Sequence, residues 1–286
     1  MRLAYLGTSD FAADLLRRLV AAGRTPELVV TRPDRPKGRG RRLASPPVAD
    51  VARELELELA QPIDVNSFAP VLGLDAVVVC AYGALLKEPL LSEPGLLNVH
   101  PSLLPRWRGA APIERAIMAG DRETGVAIMR PTAGFDEGPV CAVAREPIGP
   151  EDDYASLSGR LVAAAAELLV QVFDEHPPFV EQAAEGVVYA EKIGPDDRTL
   201  DPTRSAVELD RVVRALHPHI GARLADGLGV RRARPLPDVS APPGLSRDGD
   251  RLLLGTAAGA LELLEVQPPG GRPMEAAAYL RGRDLP

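Results

Sequence analysis

One uninterrupted apolar run, DAVVVCAYG at residues 75–83, is the feature that most constrains the fold. Side chains at successive positions of a strand point to opposite faces, so a strand without polar positions must be covered on both sides. Such burial is typical of the central strands of a parallel sheet packed between helices. RLAYLG at 2–7 and GLLNVH at 95–100 have the same character. These runs predict an α/β domain.

Segments with helical periodicity alternate with these strands. Residues 8–23 place Phe11, Leu15, Leu16 and Leu19 on one face, and Gly23 ends the helix. Four further segments follow the same scheme: a strand at 27–31, a helix at 45–57, and strands in TGVAIMR and GPVCAVAREPI. The longest helix, at 156–176, closes the domain. The order predicts a doubly wound, mostly parallel sheet.

The pattern of apolar and polar residues changes near residue 190. AEKIGPDDRTLDPTRSA is polar and suits a linker, AVELDRVVRAL predicts a helix, and short apolar runs broken by turns follow it. Short strands at this spacing are typical of a small β-barrel. We therefore expect a first domain at 1–189, a linker at 190–205, and an OB-like β-barrel domain at 206–286.

Composition narrows the class of protein. We expect a cytoplasmic protein, because the N-terminus lacks the pattern of a signal peptide and Cys80 and Cys141 lie apart in strand-like runs. The net charge of −7 argues against a protein that coats nucleic acid. Residues 32–42 nevertheless carry six basic side chains against one acid, Asp34. The segment is either a nucleic-acid contact or an ordinary solvated loop.

The stretch NVHPSLLPRWRGAAPIERAI at 98–117 carries the first candidate chemistry. Asn98 and His100 are two residues apart at the end of a predicted strand, so both side chains share a face. An amide beside an imidazole can hold an oxygen that becomes negative during a reaction. The alternative is that Asn98 caps a turn and His100 is a core histidine. The proline-rich turn that follows favours the first interpretation, because such a turn shapes the mouth of a pocket and does not continue a strand.

A second stretch, TAGFDEGPV, contains a carboxylate that is a candidate for proton transfer. Asp136 lies between glycines in a predicted turn between two strands, where it could orient His100 or relay a proton through water. An ordinary turn aspartate is the alternative. The sequence lacks G-x-S-x-G, the P-loop motif, and G-x-G-x-x-G after its first strand. An oxyanion site without a side-chain nucleophile suits direct attack by a substrate amine on an activated acyl group.

Together, these motifs resemble the formyltransferases that use 10-formyltetrahydrofolate, and within them the methionyl-tRNA formyltransferase family. Three further stretches carry the resemblance. Residues 31–48 are similar to that family's arginine-rich loop, and residues 263–282 resemble the end of its second domain. The junction between its domains is resembled by YAEKI at 189–193 together with ELDRVVRAL. The chain departs from the family at Glu137, at Pro202 and in HPHIGA at 217–222.

The resemblance implies roles for particular residues. It implies catalysis by Asn98, His100 and Asp136, with 10-formyltetrahydrofolate as co-substrate and initiator methionyl-tRNA as partner. From the residues themselves we expect no metal, because the two cysteines lie far apart, and no membrane binding, because there is no apolar run long enough to cross a membrane. A monomer is the default expectation. The folate contacts would be Ser102, Leu103, Leu104 and Pro105, and the tRNA contacts Arg35, Lys37, Arg39, Arg41 and Arg42.

Three other functions remain open at the level of sequence. In the first, the acceptor is a small amine, such as an amino-sugar nucleotide or a purine precursor. In the second, the scaffold belongs to a non-catalytic protein that binds RNA or folate. Water in place of the amine would make a folate hydrolase.

Overall fold

The computed structural model describes residues 1–37 and 42–281. The chain divides into two compact units, each discontinuous in sequence. The first contains Met1–Gly109, Thr124–Glu146 and Ser158–Tyr189. The second contains Ala110–Glu123, Pro147–Leu157 and the chain from Ala190 onward. The helices are α1 (Asp10–Ala21), α2 (Pro47–Glu54), α3 (Pro112–Ala119), α4 (Tyr154–Glu175), α5 (Ala206–Leu216) and α6 (Ala276–Leu280).

A seven-stranded sheet organises the first unit. The strands up to residue 190 are β1 (Leu3–Gly7), β2 (Leu28–Val30), β3 (Arg35–Lys37), β4 (Arg42–Ala44), β5 (Leu59–Ala60), β6 (Ala76–Cys80), β7 (Leu96–His100), β8 (Arg108–Gly109), β9 (Glu123–Met129), β10 (Val140–Pro147) and β11 (Tyr189–Ala190). The sheet order is β10-β9-β7-β6-β1-β2-β5. Strands β5, β2, β1, β6 and β7 run parallel, whereas β9 is antiparallel to β7. The mostly parallel sheet predicted from the sequence is confirmed.

Burial explains why these segments are strands. Every residue of β1 and of β6 is buried, as the unbroken apolar runs require. Helix α1 begins at Ser9, whose side chain accepts a hydrogen bond from the Ala12 amide, and its apolar face packs into the core. Strand order and direction bring the carboxyl ends of β1, β6 and β7 to one edge of the sheet, which is where ligands bind in open α/β sheets.

Helix α4 is long and apolar enough, by length and composition, to cross a membrane. Half of its most apolar window is nevertheless buried within the fold. Leu161, Ala165 and Leu169, four residues apart, are completely buried and lie on one face. This pattern is that of a core helix.

The second unit is built on an antiparallel sheet. Its strands are β12 (Ala222–Arg223), β13 (Gly229–Leu236), β14 (Gly244–Asp248), β15 (Arg251–Gly255), β16 (Ala260–Gln267) and β17 (Met274–Glu275). The order is β12-β13-β16-β15-β14, with β17 on β16, and each pairing is antiparallel. Helix α5 begins with a capping box between Ser205 and Glu208. It packs against α3 and β13, and Met118 joins the apolar core. The small domain of short strands predicted for this part of the chain is confirmed as an antiparallel strand domain.

Candidate active site

Strand β7 positions the first two candidate residues. Asn98 lies opposite Val79 of β6 and Met129 of β9, and His100 lies opposite Ala127. The two side chains share a face because they are two residues apart in a strand. His100 is 4% exposed, and Asn98 is half-buried. Across residues 1–37 and 42–281, the Asn98 amide makes no side-chain hydrogen bond, so its N–H groups remain available to a ligand.

The His100 ring is oriented by a backbone carbonyl. Its Nε2 lies 2.8 Å from the carbonyl oxygen of Trp107. A carbonyl oxygen can only accept a hydrogen bond, so Nε2 carries a proton. The other ring nitrogen, Nδ1, lies 3.6 Å from Oδ2 of Asp136, which is longer than a direct hydrogen bond. Of the two ring nitrogens, Nδ1 is therefore the one that faces the Asp136 carboxylate.

The turn after β7 brings Trp107 back to His100. The Ser102 hydroxyl donates to the Arg106 carbonyl at 2.7 Å, and the Ser102 amide donates to the His100 carbonyl at 2.9 Å. Trp107 has a left-handed backbone with φ of +63°, and the Arg106 guanidinium lies 4.4 Å above its ring. These contacts fix the carbonyl that holds the imidazole.

Asp136 lies in the loop between β9 and β10, as the glycines around it predict. Its backbone is left-handed, with φ of +49°, and its Oδ2 accepts a hydrogen bond from the Gly109 amide at 2.9 Å. The loop has room only for glycine at 138, because a Cβ there would overlap the Arg130 carbonyl oxygen. The Asp136 side chain is 24% exposed. The carboxylate therefore reaches both the buried imidazole and solvent.

The other residues predicted for binding have varied environments. Ser102 is completely buried and its hydroxyl is used by the turn, so its side chain shapes the loop; Leu103, Leu104 and Pro105 are half-buried. Arg35 is exposed on β3, and the Lys37 backbone pairs with that of Arg42 on β4. Arg39 and Arg41 lie outside the described residues. The folate and tRNA contacts remain predictions.

Two residues at the site were missed by reasoning from the sequence. Gln182 donates from Nε2 to the carbonyl oxygens of Asp136 and Gly138, at 2.7 and 2.8 Å. Arg108 donates to Oε1 of Gln182 from Nε and Nη2, at 3.0 and 2.8 Å. Arg108 belongs to the stretch at 98–117 that also contains Asn98 and His100, whereas Gln182 lies in VEQAAEG, which matches no motif. No sequence signal linked that stretch to Asp136.

Comparison with known proteins identifies the family of the chain. Residues 1–173 match the formyl transferase family, and residues 192–284 match the C-terminal domain of formyl transferases. The methionyl-tRNA formyltransferase of Phenylobacterium zucineum (strain HLK1) is 44% identical over 303 aligned residues, covering 100% of this chain and 98% of its own. The chain belongs to the methionyl-tRNA formyltransferase family. The family member from Paracoccus denitrificans (strain Pd 1222) is 46% identical, over 100% of this chain and 99% of its own.

Solved structures share the fold of this methionyl-tRNA formyltransferase family member at low sequence identity. An N-formyltransferase from Helicobacter canadensis, in complex with folinic acid and dTDP-3-aminofucose, superposes with a TM-score of 0.71 at 13% identity, covering 92% of this chain and 98% of its own. HypX from Aquifex aeolicus, in complex with tetrahydrofolic acid, gives a TM-score of 0.65 at 18% identity, covering 98% of this chain and 47% of its own. At this identity the likeness shows the fold alone.

Proposed function

We propose that the protein transfers the formyl group of 10-formyltetrahydrofolate to the α-amine of methionine on initiator methionyl-tRNA. One observation carries the chemistry: Nδ1 of His100 faces the Asp136 carboxylate at 3.6 Å, at the carboxyl end of the strand that also bears Asn98. The acceptor follows from relatives more than 40% identical over the whole chain that are named methionyl-tRNA formyltransferases.

The residues present fit a formyl donor. The folate supplies a formyl carbon activated by its bond to N10. The half-buried Asn98 amide donates a hydrogen bond to the formyl oxygen as that oxygen becomes negative. His100, protonated on Nδ1 as well as Nε2, donates a second one. Both donors lie on one face of β7, so they address a single oxygen.

Proton transfer is the task of Asp136. As the neutral amine forms its new bond to the formyl carbon, the bond from that carbon to N10 breaks, and one amine proton must reach N10. The Asp136 carboxylate accepts that proton and returns it to N10 through a bridging water. Between transfers the carboxylate stabilises the cationic form of His100. The overall reaction leaves both side chains in their starting protonation states.

The protein is proposed to bind tRNA through the basic segment at 32–42. Its six cationic side chains would contact phosphates of the acceptor stem and release counterions. The proposal includes the folate contacts at Ser102, Leu103, Leu104 and Pro105 and the tRNA contacts at Arg35, Lys37, Arg39, Arg41 and Arg42. It also includes a monomer acting in the cytoplasm, with a catalytic domain at 1–189, a linker at 190–205 and a tRNA-contacting domain at 206–286.

The test supplies 10-formyltetrahydrofolate and measures formyl incorporation into charged initiator tRNA. Elongator methionyl-tRNA and free amino sugars are the competing acceptors. Asn98→Ala and Asp136→Asn should each lower kcat by about 100- to 1000-fold while both substrates still bind. Asp226→Asn is the matched control, because Asp226 also accepts a backbone amide in a turn, that of Leu228 at 2.9 Å.

Two results would overturn the proposal. Activity within a few-fold of wild type in Asn98→Ala or Asp136→Asn would remove that residue from the chemistry. Faster formylation of an amino sugar than of initiator methionyl-tRNA would reassign the acceptor.

A further inference from the structure

Gln182 connects two segments that meet at the candidate active site. Its Nε2 donates to the carbonyl oxygens of Asp136 and Gly138, and its Oε1 accepts from Nε and Nη2 of Arg108. One side chain thus ties the loop between β9 and β10 to strand β8. Every polar atom of the Gln182 amide group is used in this bridge.

The orientation of the Gln182 amide is fixed by its partners. Two carbonyl oxygens can only accept, so the amide nitrogen must face them, and the guanidinium can only donate, so the amide oxygen must face Arg108. Arg108 is 8% exposed, and within the described chain no carboxylate lies within ion-pair distance of it. A buried cation needs a hydrogen-bond acceptor, and Oε1 of Gln182 provides it. The charge of Arg108 therefore holds the amide in place.

Asp136 needs such support because its backbone conformation is strained. A left-handed backbone is unfavourable at a residue other than glycine, and Asp136 has φ of +49°. Its carboxylate is held by the amide of Gly109, the residue after Arg108. The carboxylate and the backbone of Asp136 are thus tied to consecutive residues of β8. Without Gln182 the backbone of Asp136 would lose its tie to β8, while the contact of its carboxylate with Gly109 would remain.

We propose that Gln182 is a positioning residue: it holds the backbone of Asp136 so that the carboxylate faces Nδ1 of His100. The proposal rests on the catalytic role proposed above for Asp136. In this role Gln182 acts through the backbone of Asp136 and not on a reacting atom. Its contribution is to keep the distance of 3.6 Å between Asp136 Oδ2 and His100 Nδ1, since displacement of a reacting group by about 1 Å can cost about 100-fold in rate.

The discriminating variant is Gln182→Glu. The carboxylate keeps an acceptor for Arg108 and turns that contact into an ion pair, so the fold is retained. It lacks the N–H donors, however, and places an oxygen against two carbonyl oxygens. We expect kcat to fall about 10- to 100-fold, with KM for both substrates within about twofold and a Tm no lower than that of wild type. Gln182→Ala, which removes both contacts, is the second variant if the glutamate variant does not fold.

A double-mutant cycle separates positioning from general destabilisation. If Gln182 acts through Asp136, Gln182→Glu combined with Asp136→Asn should have the kcat of Asp136→Asn alone. The inference would be overturned if the fold decrease in kcat of the double variant were the product of the fold decreases of the two single variants. Gln267→Glu is the matched control and should leave kcat unchanged, since the Gln267 amide donates to a carbonyl, that of Gly271 at 3.0 Å, in the second unit.

The same data distinguish failure of the inference from failure of the proposed function. An active Asp136→Asn would refute the catalytic assignment, whatever Gln182 variants do. An inactive Asp136→Asn together with wild-type kcat in Gln182→Glu and Gln182→Ala would refute the positioning role alone.

Discussion

Removal of Arg214 should destabilise the second unit in a way that depends on pH. Arg214 and Asp210 lie one turn apart on α5, with Nε of Arg214 2.8 Å from Oδ2 of Asp210. Burial raises the pKa of Asp210, and the adjacent Arg214 opposes that rise; Glu151 raises it and Arg211 lowers it by smaller amounts. Arg214 also donates to the Asp152 carbonyl at 2.6 Å. Arg214→Ala would therefore leave a carboxylate buried without its cation.

The magnitude follows from the two contacts that are lost. Leaving a buried charge unpaired costs about 3 kcal/mol of the free energy of unfolding, and this penalty applies only while Asp210 is ionised. Because the folded-state pKa of Asp210 is raised, the folded protein binds the proton more tightly than the unfolded chain. Stability is then greatest at low pH and falls as pH rises through the folded-state pKa. As the pH is lowered and Asp210 takes up its proton, the cost should shrink toward about 1 kcal/mol, the contribution of the lost hydrogen bond to Asp152.

Urea unfolding of wild type and variant at pH 4.5 and pH 7.5 measures the difference. Arg204→Ala is the matched control, because Arg204 forms a pair with Glu208 at 3.6 Å near the start of the same helix, and the pair is exposed, so its loss should change stability little at either pH. Adding Asp210→Asn to Arg214→Ala should restore much of the loss at pH 7.5. An equal loss at both pH values, with no recovery in the double variant, would refute the reasoning.

Two further predictions concern other parts of the chain. Replacing Arg39, Arg41 and Arg42 by alanine should weaken tRNA binding and flatten the dependence of log Kd on log salt concentration; an unchanged slope in filter binding would exclude the segment from the interface. Burial raises the pKa of the Cys80 thiol to about 12 and also raises that of the half-buried Cys141. Iodoacetamide at pH 8 should therefore label both slowly in the folded protein, and Cys141 before Cys80, as mass spectrometry of timed samples would show; faster labelling of Cys80 would contradict it.

The sequence was most informative where burial dictated residue type. Strands such as β1 and β6 are apolar runs buried at every position, so their positions and the mostly parallel sheet could be predicted. The helix predicted from AVELDRVVRAL is α5, with the same bounds, Ala206–Leu216. Strand β14, GLSRD, was missed because it lies at the edge of its sheet and carries polar side chains that edge strands tolerate. The β3–β4 hairpin was missed in the basic segment for a similar reason.

At the candidate site, residue types could be predicted but their partners could not. Spacing along β7 placed Asn98 and His100 on one face, and the glycines around Asp136 predicted its turn. The carbonyl of Trp107 that holds His100 depends on a left-handed residue whose identity gives no hint of it. Gln182 reaches Asp136 from 46 residues away through backbone carbonyls, which every residue possesses. Contacts to main-chain atoms leave little trace in a single sequence.

The placement of α3 has a consequence for any attempt to divide the protein. Sequence similarity suggests a cut between the two matched families, near residue 190. Yet α3 packs on α5, Glu114 on α3 lies 3.0 Å from Nε2 of His219, and the Tyr154 ring stacks on the His219 ring with centroids 3.7 Å apart. A recombinant fragment that starts at 190 would lack both of these partners. Chimeras that exchange this half between relatives should therefore carry residues 110–123 and 147–157 with it.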